Sequence, residues 1–191
     1  NEPLQIRSQA EQGNCDSIED VDIIPVSTVA NLVSNGLVTN ETTLKDDPEL
    51  IQAVVTAFDR AVQDVMRNPA RAYLLSLDYV EGLPATDDLR AALAALAAEQ
   101  DALLASDPDA AAIAASREAM LATLRETFGS DTLLQFAVLI ETIPLWEAEP
   151  TGYSEAESWA TMQATLLDMG LMDDPVDLDA VFTNEFVAEA G

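Results

Sequence analysis

The chain contains no histidine, a single lysine and a single cysteine. Without histidine, the histidine-based nucleophile relay, the imidazole general base and the histidine-ligated zinc centre are all excluded within these 191 residues. Cys15 has no partner for an internal disulfide. Its context, Gly13-Asn14-Cys15-Asp16, offers no basic neighbour to lower the thiol pKa, so it reads as structural or incidental. The polar Glu11-Gln12-Gly13-Asn14 before it also lacks the apolar stretch that precedes a lipid-anchor cysteine. Long apolar runs are missing too: Ala91 to Ala98 and Phe136 to Ile140 fall far below the roughly 20 residues that a bilayer requires. The first residue is not methionine, and no basic stretch followed by an apolar one is found. A signal peptide, if there is one, is therefore expected upstream of Asn1.

Positive charge is scarce. Thirty-five acidic residues face eight basic ones, for a net charge of −27. Such a surface repels phosphate backbones and anionic headgroups, so neither nucleic acid nor a membrane surface is an expected partner. A disordered acidic tail would explain the charge but not the 49% apolar content, which recurs with helical period. The composition instead suits high salt, where the screening length shrinks to about 3 Å at 1 M.

The opening of the chain reads as extended. Leu4, Ile6 and Ser8 alternate with Gln5 and Arg7, and Val21-Asp22-Ile23-Ile24-Pro25-Val26 is short and β-branched, with Pro25 marking an edge. A third extended piece is expected at Leu37-Val38-Thr39, after the turn residues Ser34-Asn35-Gly36. From Asp46 onward the pattern is helical. Asp47 caps a helix with Pro48 at its first position and an apolar stripe of Leu50, Ile51, Val54, Val55, Phe58, Val62 and Val65. Asn68-Pro69 repeats the device for a helix running through Tyr73 and Leu77 to a stop at Gly82.

Thr86 with Asp87 and Asp88 opens a third helix and Asp107-Pro108 a fourth, which Gly129 closes; alanine-rich contacts suggest that these two pair antiparallel. A shorter helix is expected from Asp131 to Glu141, with a break at Pro144. Ser154 and Glu157 form a capping box for a helix that stops at Gly170, and Asp177 caps a last short one through Phe182.

Catalysis here would have to use carboxylates alone, since no Gly-rich phosphate loop, cysteine pair or nucleophile elbow occurs. The pairs Asp46/Asp47, Asp87/Asp88 and Asp173/Asp174 sit where helices begin or in polar turns, where capping and solvation account for them. Asp173, Asp174, Asp177 and Asp179 have the ligand type for calcium but lack the glycine and spacing of an EF-hand loop. No catalytic residue, metal or cofactor is expected.

Three stretches carry a family resemblance. The first is Asn1-Glu2-Pro3-Leu4. The second runs from Leu32-Val33-Ser34-Asn35-Gly36-Leu37-Val38-Thr39-Asn40 through Asp47-Pro48-Glu49-Leu50 and Ala57-Phe58 to Asn68-Pro69-Ala70-Arg71-Ala72-Tyr73, and is the most specific. The third combines Trp146, Gly152-Tyr153-Ser154, Trp159, Met162, Met169-Gly170-Leu171, Pro175-Val176-Asp177 and Thr183-Asn184-Glu185-Phe186-Val187. In this order they resemble the C-terminal portion of the NMT1/THI5-like (SsuA/THI5-like) substrate-binding proteins of ABC importers. The stretch from Asp87 to Thr127 is longer than in typical members.

The resemblance implies an α/β, helix-rich fold: the C-terminal part of a type II periplasmic binding protein, with a few N-terminal strands and then mostly helices. Residues 1–34 would form the end of the second lobe and the crossover, and 35–191 the helical C-terminal part of the first lobe. Helix stripes would then cover a sheet supplied by a preceding half, and the chain by itself would fold poorly.

The implied function is capture of a small organic solute, a thiamine-precursor pyrimidine or similar, without chemistry. The implied partner is the ABC transporter permease, in an extracytoplasmic space, with membrane attachment only through an upstream anchor or the permease. Asn1 and Glu2 are the implied ligand-binding residues. Pro3 would hold Glu2 extended, and the amide and carboxylate together would suit an amino-substituted heteroaromatic ring. The alternative for that pair is a surface position at a mobile terminus. Two other functions stand beside solute capture. The resemblance extends to pyrimidine-precursor synthases of thiamine biosynthesis, which depend on histidine and a cysteine-rich motif absent here, and a helical interaction module could share the same caps and prolines.

Overall fold

The structure, a computed structural model, describes residues 2–11, 13, 22, 24, 26–33, 35–84, 86–147 and 150–187. In chain order its helices are α1 (Glu2–Glu11), α2 (Glu41–Asp46), α3 (Pro48–Arg67), α4 (Pro69–Ser76), α5 (Asp87–Leu104), α6 (Ala110–Arg125), α7 (Ser130–Thr142), α8 (Ala156–Asp168) and α9 (Leu178–Val181), with 3-10 turns at Val26–Thr28 and Ile143–Leu145. No helix among the described residues is long and apolar enough to cross a membrane.

The helix-rich expectation matches, but the strands do not. Among the described residues there is none. The alternating Leu4, Ile6 and Ser8 lie inside α1, because Glu, Leu, Gln, Arg and Ala are strong helix formers and three alternating positions are too few to override them. Of the second expected strand, Val21, Ile23 and Pro25 fall outside the described residues, Asp22 and Ile24 have no regular structure, and Val26 opens a 3-10 turn. Leu37-Val38-Thr39 is irregular, and Val38 is 93% exposed. An extended segment becomes a strand only when a neighbour takes up its backbone groups, and among the described residues none does so.

Helix starts follow the sequence closely. Asp47 accepts from the Leu50 N–H at 3.2 Å, Asn68 from Arg71 at 3.1 Å, Thr86 from Leu89 at 3.3 Å and Asp177 from Asp179 at 3.2 Å. Four details differ from expectation. Asp109, not Asp107, caps α6, accepting from Ala112 at 2.7 Å; Asp107 takes a left-handed φ of 53°, which aspartate tolerates, and so turns the chain before Pro108. Gly129 does not close α6, which ends at Arg125, but sits at the N-cap of α7. Ser154 makes no capping box, because its backbone is engaged elsewhere and Glu155 occupies the N-cap of α8. α4 also ends early, at Ser76. The C-terminus of α8 is a Schellman arrangement: Gly170, at φ 67°, donates to the Leu167 carbonyl at 3.1 Å, and Leu171 donates to Leu166 at 2.9 Å.

The residues group into two compact units. The first comprises Asn1–Asp22 and Ala61–Trp146, and the second Ile23–Arg60 and Glu147–Gly191. The first unit holds the apolar core. Leu89 and Leu93 from α5, Leu121 and Leu124 from α6, and Leu133, Phe136 and Ile140 from α7 close around Ala70 and Tyr73 of α4. The Tyr73 and Phe136 rings meet edge to face at 5.4 Å. Complete burial of Leu93, at about 1.5–3 kcal/mol per such side chain, is the kind of contribution that holds this bundle.

Candidate functional site

Two polar clusters stand out, one in each unit. The first lies where α3 gives way to α4. A helix leaves its last carbonyls without intrahelical donors, and side chains from later helices supply them here. Gln100 Nε2 donates to the Arg67 carbonyl at 2.7 Å and Arg117 Nη1 to the Met66 carbonyl at 3.1 Å. Asn68, besides capping α4, donates through Nδ2 to the Ala97 carbonyl at 3.0 Å and to Asp101 Oδ1 at 2.9 Å, and Arg71 pairs with the other Asp101 oxygen. Asn68, Gln100 and Arg117 are all buried. The donors named here all meet protein acceptors, so the chemistry of the cluster is that of a structural clasp.

The pattern that marks Gln100 and Arg117 is present in the sequence, although neither is among the candidate residues read from it. Gln100 continues the Leu93, Leu96 spacing and Arg117 falls between Ile113 and Met120 or Leu121, so each is a polar residue on an apolar helix face. Nearby, the Tyr73 hydroxyl is buried with no hydrogen-bond partner among the described residues, and burial raises its pKa above the ordinary tyrosine value.

The second cluster is built on α8 and the segment after α9. Trp159 stacks on Phe182 with ring centroids 5.1 Å apart and planes 9° from parallel. Its indole Nε1 is buried and has no acceptor among the described residues. Two residues on, the Asn184 side chain pairs with the backbone of Ser154 in both senses, accepting from its N–H at 2.9 Å and donating to its carbonyl at 2.8 Å. Gln52 Nε2 of α3 donates to the Phe186 carbonyl at 3.1 Å, and Asn31 Nδ2 to Glu155 Oε2 at 3.4 Å. The sequence resemblance drew attention to Ser154, Trp159 and Asn184; Gln52 carries no sequence signal beyond being polar.

Asn1 lies outside the described residues, as does the side chain of Glu2. The Glu2 backbone opens α1 and so is not held extended; Pro3 takes an early helical position, where its missing N–H leaves no bond unmade. Among the described residues, no group of three or more acidic or cysteine side chains is placed to hold a metal, and Asp173, Asp174, Asp177 and Asp179 form no such group.

Comparison with known proteins bears on the same regions. A family model described as NMT1/THI5 like matches residues 1–72. Over 192 aligned residues the chain is 28% identical to the riboflavin-binding protein RibY of Chloroflexus aurantiacus, an alignment covering 98% of this chain and 40% of that protein. The chain thus spans about two fifths of the length of that relative. No solved structure matches. The chain is thus similar to an NMT1/THI5-like family model over its first 72 residues and to a riboflavin-binding protein over nearly all of its length.

Proposed function

We propose that this chain is the C-terminal part of a solute-binding protein that captures a small, flat nitrogen heterocycle for an ABC importer. The observation that carries the reading is similarity over 98% of the chain to a riboflavin-binding protein. Riboflavin contains a fused pyrimidinedione ring, so it shares its recognition chemistry with the thiamine-precursor pyrimidines that the family resemblance implies. Both offer ring nitrogens and exocyclic polar groups to amide and carboxylate side chains. On this reading residues 1–34 end the second lobe and cross over, 35–191 form the helical part of the first lobe in a type II periplasmic-binding-protein fold, and the protein works outside the cytoplasm against a permease. Binding by closure requires no catalytic group, in keeping with a chain devoid of histidine.

Calorimetric titration of the full-length protein with riboflavin and a panel of aminopyrimidines tests the reading. Saturable binding of at least one member is expected, and failure of all of them would sink it. If Glu2 is the polar contact, Glu2→Gln lowers affinity by about 1.5–3 kcal/mol, the range for a hydrogen bond to a charged group.

A further inference from the structure

Buried apolar side chains and basic residues are distributed unequally between the two units. Among the described residues every buried hydrophobic side chain belongs to the first unit, and the one buried residue of the second is Ser158. The second unit leaves Leu50, Val54 and Phe58 of α3 about half exposed, and its contacts include the Trp159–Phe182 stack, the Asn184–Ser154 pair and the Gln52–Phe186 bond. Its C-terminal stretch, 147–191, carries eleven carboxylates and neither a lysine nor an arginine. The first unit, by contrast, contains six of the chain's seven arginines, with Arg71 paired to Asp101 and Arg90 to Asp78.

A segment with little apolar burial and unopposed like charge has low local stability, because little burial is there to offset the repulsion. Screening acts directly on that repulsion. The screening length falls from about 10 Å at 0.1 M to about 3 Å at 1 M. We infer that the second unit is a salt-dependent half of the molecule, ordered when its carboxylates are screened and opened at low ionic strength while the α4–α7 core of the first unit stays folded. The segment 182–187 is the strap that lets go: releasing Asn184 from Ser154 and Phe186 from Gln52 also unstacks Phe182 from Trp159.

Hydrogen exchange read by mass spectrometry on the whole chain, at about 0.1 M and about 1 M potassium chloride, tests this without any substitution. Peptides within 150–187 should lose at least about tenfold in protection at low salt, while peptides within 87–142 hold theirs. The neutralising pair Asp173→Asn and Asp174→Asn, both at exposed positions, should move the opening to lower salt. Loss of protection in both units together, or none in either, would overturn the inference. Recovery at millimolar magnesium chloride, where screening barely changes, would also overturn it by pointing to a bound ion in place of screening.

Discussion

Replacing Asn68 tests whether the α3–α4 corner is held by its cap alone or by the clasp around it. The side chain is 4% exposed and makes three hydrogen bonds at once. Losing the cap costs about 1 kcal/mol. The donor bond to Ala97 contributes about 0.5–1.5 kcal/mol, and the bond to Asp101 about 1.5 kcal/mol, the low end for a charged acceptor because Asp101 is partly exposed and already paired with Arg71. Asn68→Ala should therefore lose about 3 kcal/mol, and Asn68→Ser, which keeps a capping oxygen, about 2 kcal/mol. Asn68→Asp separates the contributions further. Aspartate is as good a cap as asparagine, yet it places a carboxylate against Asp101 and the Ala97 carbonyl, so it should be less stable than the serine variant. Urea unfolding followed by circular dichroism at fixed high salt gives the ranking from midpoint shifts at constant slope. A serine variant as stable as the parent, or an aspartate variant more stable than serine, would refute the clasp.

Other expectations follow from single groups. Tyr73→Phe should leave stability unchanged or raise it, since the hydroxyl it removes has no partner among the described residues. Because burial raises the Tyr73 pKa, the unfolded chain loses this proton first; the parent should lose stability as pH rises past about 10, and Tyr73→Phe should lose less over the same alkaline melts. Gly170→Ala should cost about 1–2 kcal/mol in thermal melts, entirely conformational, because an added Cβ meets nothing within 4 Å while φ stays at 67°. Leu93→Ala, at a position with no exposure, should cost about 2.7–5 kcal/mol in urea, and a loss under 1 kcal/mol would mean that the core is not packed as described.

What could be read from the sequence was what is local. A capping side chain bonds a backbone group two or three residues away, so Asp47, Asn68, Thr86 and Asp177 announce themselves without knowledge of the fold. Competition between neighbours blurs the same signal. Asp107-Pro108-Asp109 offers two caps, and the left-handed turn at Asp107 selects the second. Asn40 caps α2 with a 2.8 Å bond from Thr43, yet that helix has six residues and no buried one, so no apolar period accompanies the cap. Extended pieces were overread because strand identity depends on a partner elsewhere, and three alternating residues cannot supply it. The clusters around Asn68 and Trp159 were only half legible: their members are visible as polar breaks in apolar faces or as matched motif residues, but pairings such as Gln52 with Phe186, 134 positions apart, are set by topology.

The clasp at the α3–α4 corner also says something about how the chain comes off the ribosome. Asn68 waits for partners 29 and 33 residues ahead, the Arg67 carbonyl for one 33 ahead, and the Met66 carbonyl for Arg117, 51 ahead. At about 5–20 residues per second, the end of α3 emerges several seconds before Arg117 is made. During that interval its carbonyls can be served only by water. The corner is therefore a late event in synthesis, and rare codons placed between positions 68 and 117 would prolong the time for which α3 and α4 stand undocked.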